Sequence, residues 1–137
     1  ERGNVLVNSK EISGGYVLWQ EDIKEIVAYA ANRQIEVIPE IAMPRHTNAA
    51  LASYPLLACP VIDKYISVIP GLGGDHNGFM FCAGNDSVYT FVQNVIDEIV
   101  EMFPSKYIHL GGDEAKISGW KTCKQSKRFI KEKKNVY

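Results

Sequence analysis

The sequence predicts an α/β fold with parallel strands, and three observations predict it. Two segments with helical apolar spacing each run directly into a short apolar, strand-like stretch, and both stretches end in carboxylates. Helix-then-strand order, repeated, implies parallel strands joined by right-handed crossovers. The C-terminal ends of such strands face a common crevice, where sites are built.

Residues 1 to 18, with Gly3, Gly14 and Gly15 among a few β-branched residues, predict irregular or hairpin structure. From Trp19 the run WQEDIKEIVAYAANRQ places Ile23, Ile26, Val27 and Ala30 at i, i+3, i+4 and i+7, one apolar face of a helix. IEVIPE follows as a β-branched strand that stops at Pro39. Ile41 to Asp86 is rich in proline and glycine and predicts a long loop, with a helical turn near Ala49 to Ser53. A loop of that length in a compact domain usually carries function.

SVYTFVQNVIDEIVEMF places Phe91, Val95, Ile99 and Met102 at helical spacing, with Asp86 or Ser87 as N-cap and Pro104 as the stop. The apolar run YIHL follows as a strand, and a last helix is predicted from about Gly119 or Trp120 to Lys133. Two strands are too few to close a barrel, which needs eight βα units and typically about 250 residues. The 137 residues therefore predict a piece of a larger domain.

A formal net charge of -1 with 23% charged and 46% hydrophobic residues is an ordinary globular composition and predicts no polyanion partner, so nucleic acid is not expected. The lysines of KTCKQSKRFIKEKKN fall at the spacing of a solvated helix face. No apolar run approaches the ~20 residues that span a bilayer, and ERGNVLVNSK has no signal-peptide core, so no membrane partner is expected. Cys59, Cys82 and Cys123 have no metal-ligand spacing such as C-x-x-C, and no metal site is expected of them. A disulfide between Cys59 and Cys82, leaving Cys123 unpaired, and three reduced thiols are both open readings.

The informative stretch is YIHLGGDEA. After the strand, Gly111 and Gly112 permit backbone angles or approaches that a Cβ forbids, and they deliver Asp113 and Glu114 to the strand's C-terminal end. Adjacent acids in a strand diverge, whereas in a turn they converge on one ligand. The bland alternative is a polar turn capping the next helix. The other strand end carries VIPEIAMPRHTNAALASYP, with Glu40 and His46 on the following loop. If the strands are neighbours, three acids and an imidazole share one crevice, where an apolar pocket and the histidine could tune a proton donor. His109 is expected to be packed or locally hydrogen-bonded within its strand, and His76, among glycines, carries no assignment.

HLGGDEA together with VIPEIAMPRHTNAAL resembles the catalytic region of the family 20 glycoside hydrolases, the β-N-acetylhexosaminidases, and the likeness runs from about Gly14 to about Lys131. The resemblance implies a fragment of a (β/α)8 TIM barrel, about three βα units, forming a single partial catalytic domain over residues 1–137. It implies retaining, substrate-assisted hydrolysis of terminal β-linked N-acetylglucosamine or N-acetylgalactosamine without a cofactor, an exception to the two-carboxylate scheme.

In that scheme the substrate's acetamido oxygen attacks the anomeric carbon. Glu114 matches the general acid, Asp113 the residue that holds the acetamido N–H, His46 a support of the acid, and Glu40 a substrate-binding rim residue. The family reads Pro-Glu-Ile-Asp-Met-Pro-Gly-His where this chain has Ala42 for the aspartate and Arg45 for the glycine. Arg45 in a glycine's place is expected to demand an unusual backbone angle or to crowd the pocket. Trp19 and Trp120 match no wall of the N-acetyl pocket.

Competing readings are a sugar-binding or interaction domain without turnover, and a small flavodoxin-like domain whose Asp113 and Glu114 hold a divalent cation. The partner implied is an N-acetylhexosaminide, with self-association expected through unpaired strand edges. The resemblance favours a secreted or periplasmic location.

Overall fold

A computed structural model of the chain describes residues 18–60, 79–115 and 117–134. The predicted irregular N-terminal segment, much of the long loop and His76 lie outside the described residues. The chain divides into two compact units, Glu1–Val37 and Ile38–Tyr137.

In the first unit, helix α1 spans Gln20–Ala31, as the apolar spacing predicts. Trp19 stands at its N-cap, and the Asp22 carboxylate accepts the Trp19 N–H at 2.7 Å. Glu21 and Asp22 place negative charge at the positive end of the helix dipole. Val27 is buried while Ile26 and Tyr29 are exposed. Arg33 lies 3.4 Å from the Tyr29 ring centroid and donates to the Tyr29 carbonyl. The chain leaves the helix through Gln34 in the left-handed region (φ 60), with the Ile35 N–H returning to the Ala30 carbonyl.

The second unit contains the two predicted strand ends as parallel neighbours. Ile41 N–H donates to the His109 carbonyl and His109 N–H to the Pro39 carbonyl, each at 2.9 Å, which makes Glu40 and His109 a parallel bridge. Met43 N–H continues the pairing to the Leu110 carbonyl at 3.0 Å. Among the described residues the two predicted strands are extended segments joined by this bridge rather than a full ladder. Pro39 offers no N–H to extend it.

Helix α2, Asn48–Ser53, sits where a helical turn is predicted, and a 3-10 turn follows at Pro55–Leu57. Helix α3 spans Asp86–Met102. Its cap is Asn85, one residue before the predicted Asp86 or Ser87: the Asn85 carboxamide accepts the Ser87 N–H at 3.0 Å and donates to the Leu56 carbonyl at 2.7 Å. That double contact explains why Asn85 takes the position. The helix ends two residues before Pro104, as expected. The core gathers Leu51, Leu57, Phe79, Phe81 and Val88, with the Phe91 ring edge-on to Phe81 at 5.9 Å and tilted against Tyr54 at 5.3 Å. Burying a side chain such as Leu51 stabilises by about 1.5–3 kcal/mol.

The last predicted helix is two helices, α4 at Ser118–Thr122 and α5 at Lys124–Lys134, broken at Cys123 in extended conformation. Lys124, Lys127, Arg128 and Lys131 share one exposed face, as the solvated-face reading expects, while Ser126 on the opposite side is fully buried. The break turns Cys123 inward. With Cys59 and Cys82 it forms a second buried cluster, covered by Trp120, whose indole N–H donates to the Phe81 carbonyl at 2.9 Å.

All three cysteines are free, so the Cys59–Cys82 disulfide does not form, and the Cys82 sulfur lies 3.7 Å from that of Cys123. Burial and the neighbouring Cys82 push the Cys59 thiol up. At Cys123 burial acts in the same direction, but hydrogen bonds from the Ser126 backbone and hydroxyl and from the other two thiols prevail, and its pKa is lowered to about 7. Gly84 lets the two segments meet, since a Cβ there would fall 2.2 Å from the Gln125 carbonyl carbon.

Candidate active site

Gly111 and Gly112 both take positive φ, 71 and 103, a region that glycine enters without a Cβ penalty. Gly111 also lies against the neighbouring strand end, where a Cβ would stand 2.8 Å from the Ala42 Cα. The glycines therefore set both the turn and its distance from the facing segment. Gly111→Ala is expected to destabilise by at least about 1–2 kcal/mol, the cost of a left-handed residue before the contact with Ala42 is added. Its denaturation midpoint, compared with that of Gly112→Ala, which meets no atom within 4 Å, separates the contact from the backbone conformation.

Asp113 and Glu114 follow in a turn, so the turn reading of the adjacent acids describes their backbone and the helix-capping alternative does not: α4 begins only at Ser118. Glu114 itself has φ 54, and His46 on the facing loop has φ 61. Non-glycine residues in this region persist where surrounding contacts impose them, and such residues cluster at functional sites.

The contacts that hold Glu114 come from Arg45 and His46. The Arg45 guanidinium donates to the Glu114 carbonyl at 2.8 Å and lies 3.5 Å from its carboxylate, and His46 Nε2 is 3.6 Å from the same carboxylate oxygen. Arg45 is 8% exposed. It does not take the unusual backbone angle expected of an arginine in a glycine's place. The unusual angle falls one residue later, on His46. Sequence reading missed Arg45 as a site residue, although a cation beside His46 on the loop facing two acids was the available signal.

His109 is exposed rather than packed, and locally hydrogen-bonded as expected: its Nδ1 accepts the Gly111 N–H at 3.2 Å. The same nitrogen stands 3.4 Å from a Glu40 carboxylate oxygen. The Gly111 N–H and the Glu40 carboxylate therefore both approach the same ring nitrogen. Glu40 is thus turned toward His109, while Glu114 is turned toward Arg45 and His46.

A cavity of about 330 Å³ is lined by Glu40, Ala42, Met43, His46, Phe81 and Phe91 among others. Asp113 and Glu114 are not among its walls, and Glu114 is 67% exposed. Two segments meet here, the Pro39–His46 stretch and the His109–Glu114 turn, joined by the parallel bridge and by Arg45.

The profile of the Glycosyl hydrolase family 20 catalytic domain matches residues 2–136. Among curated proteins, the chain is similar to a beta-hexosaminidase of Porphyromonas gingivalis, 43% identical over 122 residues that make up 89% of this chain and 15% of the relative. A beta-hexosaminidase of Akkermansia muciniphila is 39% identical over 105 residues, 76% of this chain and 20% of its own length. Among solved structures, a beta-N-acetylhexosaminidase of Bacteroides fragilis superposes with a TM-score of 0.69 at 43% identity, covering 84% of this chain and 21% of that one. The chitobiase of Flavobacterium johnsoniae gives 0.74 at 32% identity, with coverages of 89% and 18%.

A mutant β-hexosaminidase of Streptomyces plicatus in complex with the product GlcNAc gives 0.62 at 39% identity, covering 82% and 21%. The chain thus spans a fifth or less of the curated relatives named here. These neighbours give it a fold of the TIM-barrel type and set the flavodoxin-like alternative aside.

Proposed function

Because this chain belongs to glycosyl hydrolase family 20, we propose that the full-length protein is a retaining β-N-acetylhexosaminidase and that this segment supplies its general acid and its acetamido-binding carboxylate. The segment amounts to about three βα units of the barrel. Exposed Ile38, Tyr107 and Leu110 on the two extended segments fit that reading, since further strands would cover them.

The observation that carries the proposal is the locked pair of strand ends. Glu114 sits on a left-handed turn at the end of one segment, held from the next segment by Arg45 and His46. In the proposed reaction Glu114 protonates the glycosidic oxygen as the bond to the anomeric carbon breaks, while the substrate's acetamido oxygen forms a new bond to that carbon. Asp113 accepts the acetamido N–H and stabilises the positive charge of the oxazolinium ion. Glu114, now a carboxylate, then removes a proton from the water that opens the ring. Two adjacent carboxylates are needed because one serves the leaving oxygen and the other the N-acetyl group. His46 and Arg45 hold Glu114, and Glu40 contributes to the rim.

Chromophore release from an aryl N-acetylglucosaminide by the full-length protein tests the reading. Turnover supports it, whereas binding of the sugar without turnover replaces it with the sugar-binding alternative.

Arg45 acts in this scheme as a positioning residue, through its bond to the Glu114 carbonyl. Arg45→Ala is expected to lower kcat/KM by up to about 100-fold, the scale on which a misplacement of about 1 Å acts. Arg45→Lys should recover only part of that, because the shorter, more strongly hydrated ammonium does not reproduce the planar guanidinium's placement against the Glu114 carbonyl. Unchanged steady-state kinetics in both variants would remove Arg45 from the account.

A further inference from the structure

The cysteine cluster lies apart from the hydrolytic residues, and the hydrolytic scheme uses none of it. Three sequence-distant points converge there: Cys59 beyond the 3-10 turn, Cys82 beside the Phe81 bridge, and Cys123 at the break between α4 and α5. Their sulfurs all lie within 4.8 Å of one another, and each cysteine is buried. The Ser126 hydroxyl, on a residue with no exposed surface, closes the group at 3.4 Å from the Cys82 sulfur and 3.7 Å from that of Cys59.

Three of these separations match the edges of a metal tetrahedron. With Zn–S near 2.3 Å and Zn–O near 2.1 Å, ideal tetrahedral edges are about 3.8 Å between sulfurs and about 3.6 Å between sulfur and oxygen. The Cys82–Cys123 separation is 3.7 Å, and the two Ser126 separations fall on either side of the mixed edge. Cys123 immediately precedes α5 and Ser126 lies in its first turn, and the Ser126 backbone and hydroxyl both hydrogen-bond the Cys123 sulfur. An odd number of thiols cannot be consumed in disulfides within the cluster, but it suits a three-thiolate site.

We propose that Cys59, Cys82 and Cys123, with the Ser126 hydroxyl at the fourth corner, form a structural zinc site that fastens the α4–α5 segment to the segments carrying Cys59 and Cys82. Soft thiolates select zinc over magnesium or calcium, and four protein ligands leave no open position for chemistry. The ion takes the place of the thiol protons: three S–H bonds are lost to solvent as protons and three Zn–S bonds form, with no change of oxidation state.

The test uses full-length protein prepared with its thiols reduced. Metal content is measured after zinc loading and gel filtration, and Co²⁺ is substituted as a spectroscopic probe. One zinc per chain and a thiolate-to-cobalt charge-transfer band are expected, both lost in Cys82→Ser and Cys123→Ser. Those variants lose buried packing as well, so Ser126→Cys provides a reading that does not depend on tolerance of lost thiols. A fourth thiolate should tighten zinc binding by about 10-fold or more, at least the change that altering even an outer-shell partner produces at metal sites. Absence of bound zinc from the reduced wild-type protein, cobalt without the thiolate band, or zinc retained in the serine variants would overturn the proposal. So would a Cys82–Cys123 disulfide in the protein as isolated. The readout is metal content, so its failure leaves the hydrolase reading untouched.

Discussion

Glu114→Gln in the full-length protein is expected to slow substrates with poor leaving groups by about 100-fold to 10,000-fold, the range that general acid catalysis supplies. The replacement keeps the shape of the side chain and removes the transferable proton. Activated aryl glycosides, whose leaving groups depart without protonation, should lose much less in the glycosylation step. The contacts from Arg45 and His46 reach the carboxylate on one oxygen, so a carboxamide can preserve the backbone bond from Arg45 while losing the acid. A series of aryl N-acetylglucosaminides with graded leaving groups measures this. A slope of log kcat/KM against leaving-group pKa that steepens in the variant supports the role of Glu114, and an unchanged slope contradicts it.

Asp113→Asn is expected to cost about 100-fold to 1,000-fold, the scale of removing one preorganised electrostatic partner from a transition state. The cause differs from that at Glu114. In the proposed reaction the carboxylate stabilises positive charge on the oxazolinium and orients the acetamido group, and both are needed whatever group departs. Good and poor leaving groups should therefore suffer alike, and the leaving-group slope should stay that of the wild type. If the Asp113 variant shows the steepened slope and the Glu114 variant does not, the two assignments exchange.

The parts of this chain that were legible in its sequence are those written in local chemistry. The 3.6-residue spacing of Ile23, Ile26, Val27 and Ala30 marked α1, and that of Phe91, Val95, Ile99 and Met102 marked α3. Gly111 and Gly112 before two acids marked a turn at a strand end, and both take the positive φ that glycine permits. The N-cap of α3 was displaced by one residue because Asn85 is selected by a tertiary partner, the Leu56 carbonyl, which local pattern does not contain.

Break and cluster at Cys123 were illegible for a similar reason. The lysine-rich run has continuous helical periodicity, and only the arrival of Cys59 and Cys82 from other segments explains why the chain turns inward there. Spacing along the sequence does not reveal residues that meet only through the fold. Arg45 was read as an intruder in a glycine's position, since its partner, the Glu114 carbonyl, lies 69 residues away.

The central claim is that the substrate's own acetamido group is the nucleophile and that Asp113 and Glu114 serve it. It is tested most directly by comparing kcat/KM of the full-length protein for two aryl β-glycosides with the same aglycone, one with the 2-acetamido group and one with a 2-hydroxyl. The account predicts that the hydroxyl compound is cleaved at least about 100-fold more slowly, because its nucleophile and the contact with Asp113 are both gone. Equal rates for the two glycosides would contradict it.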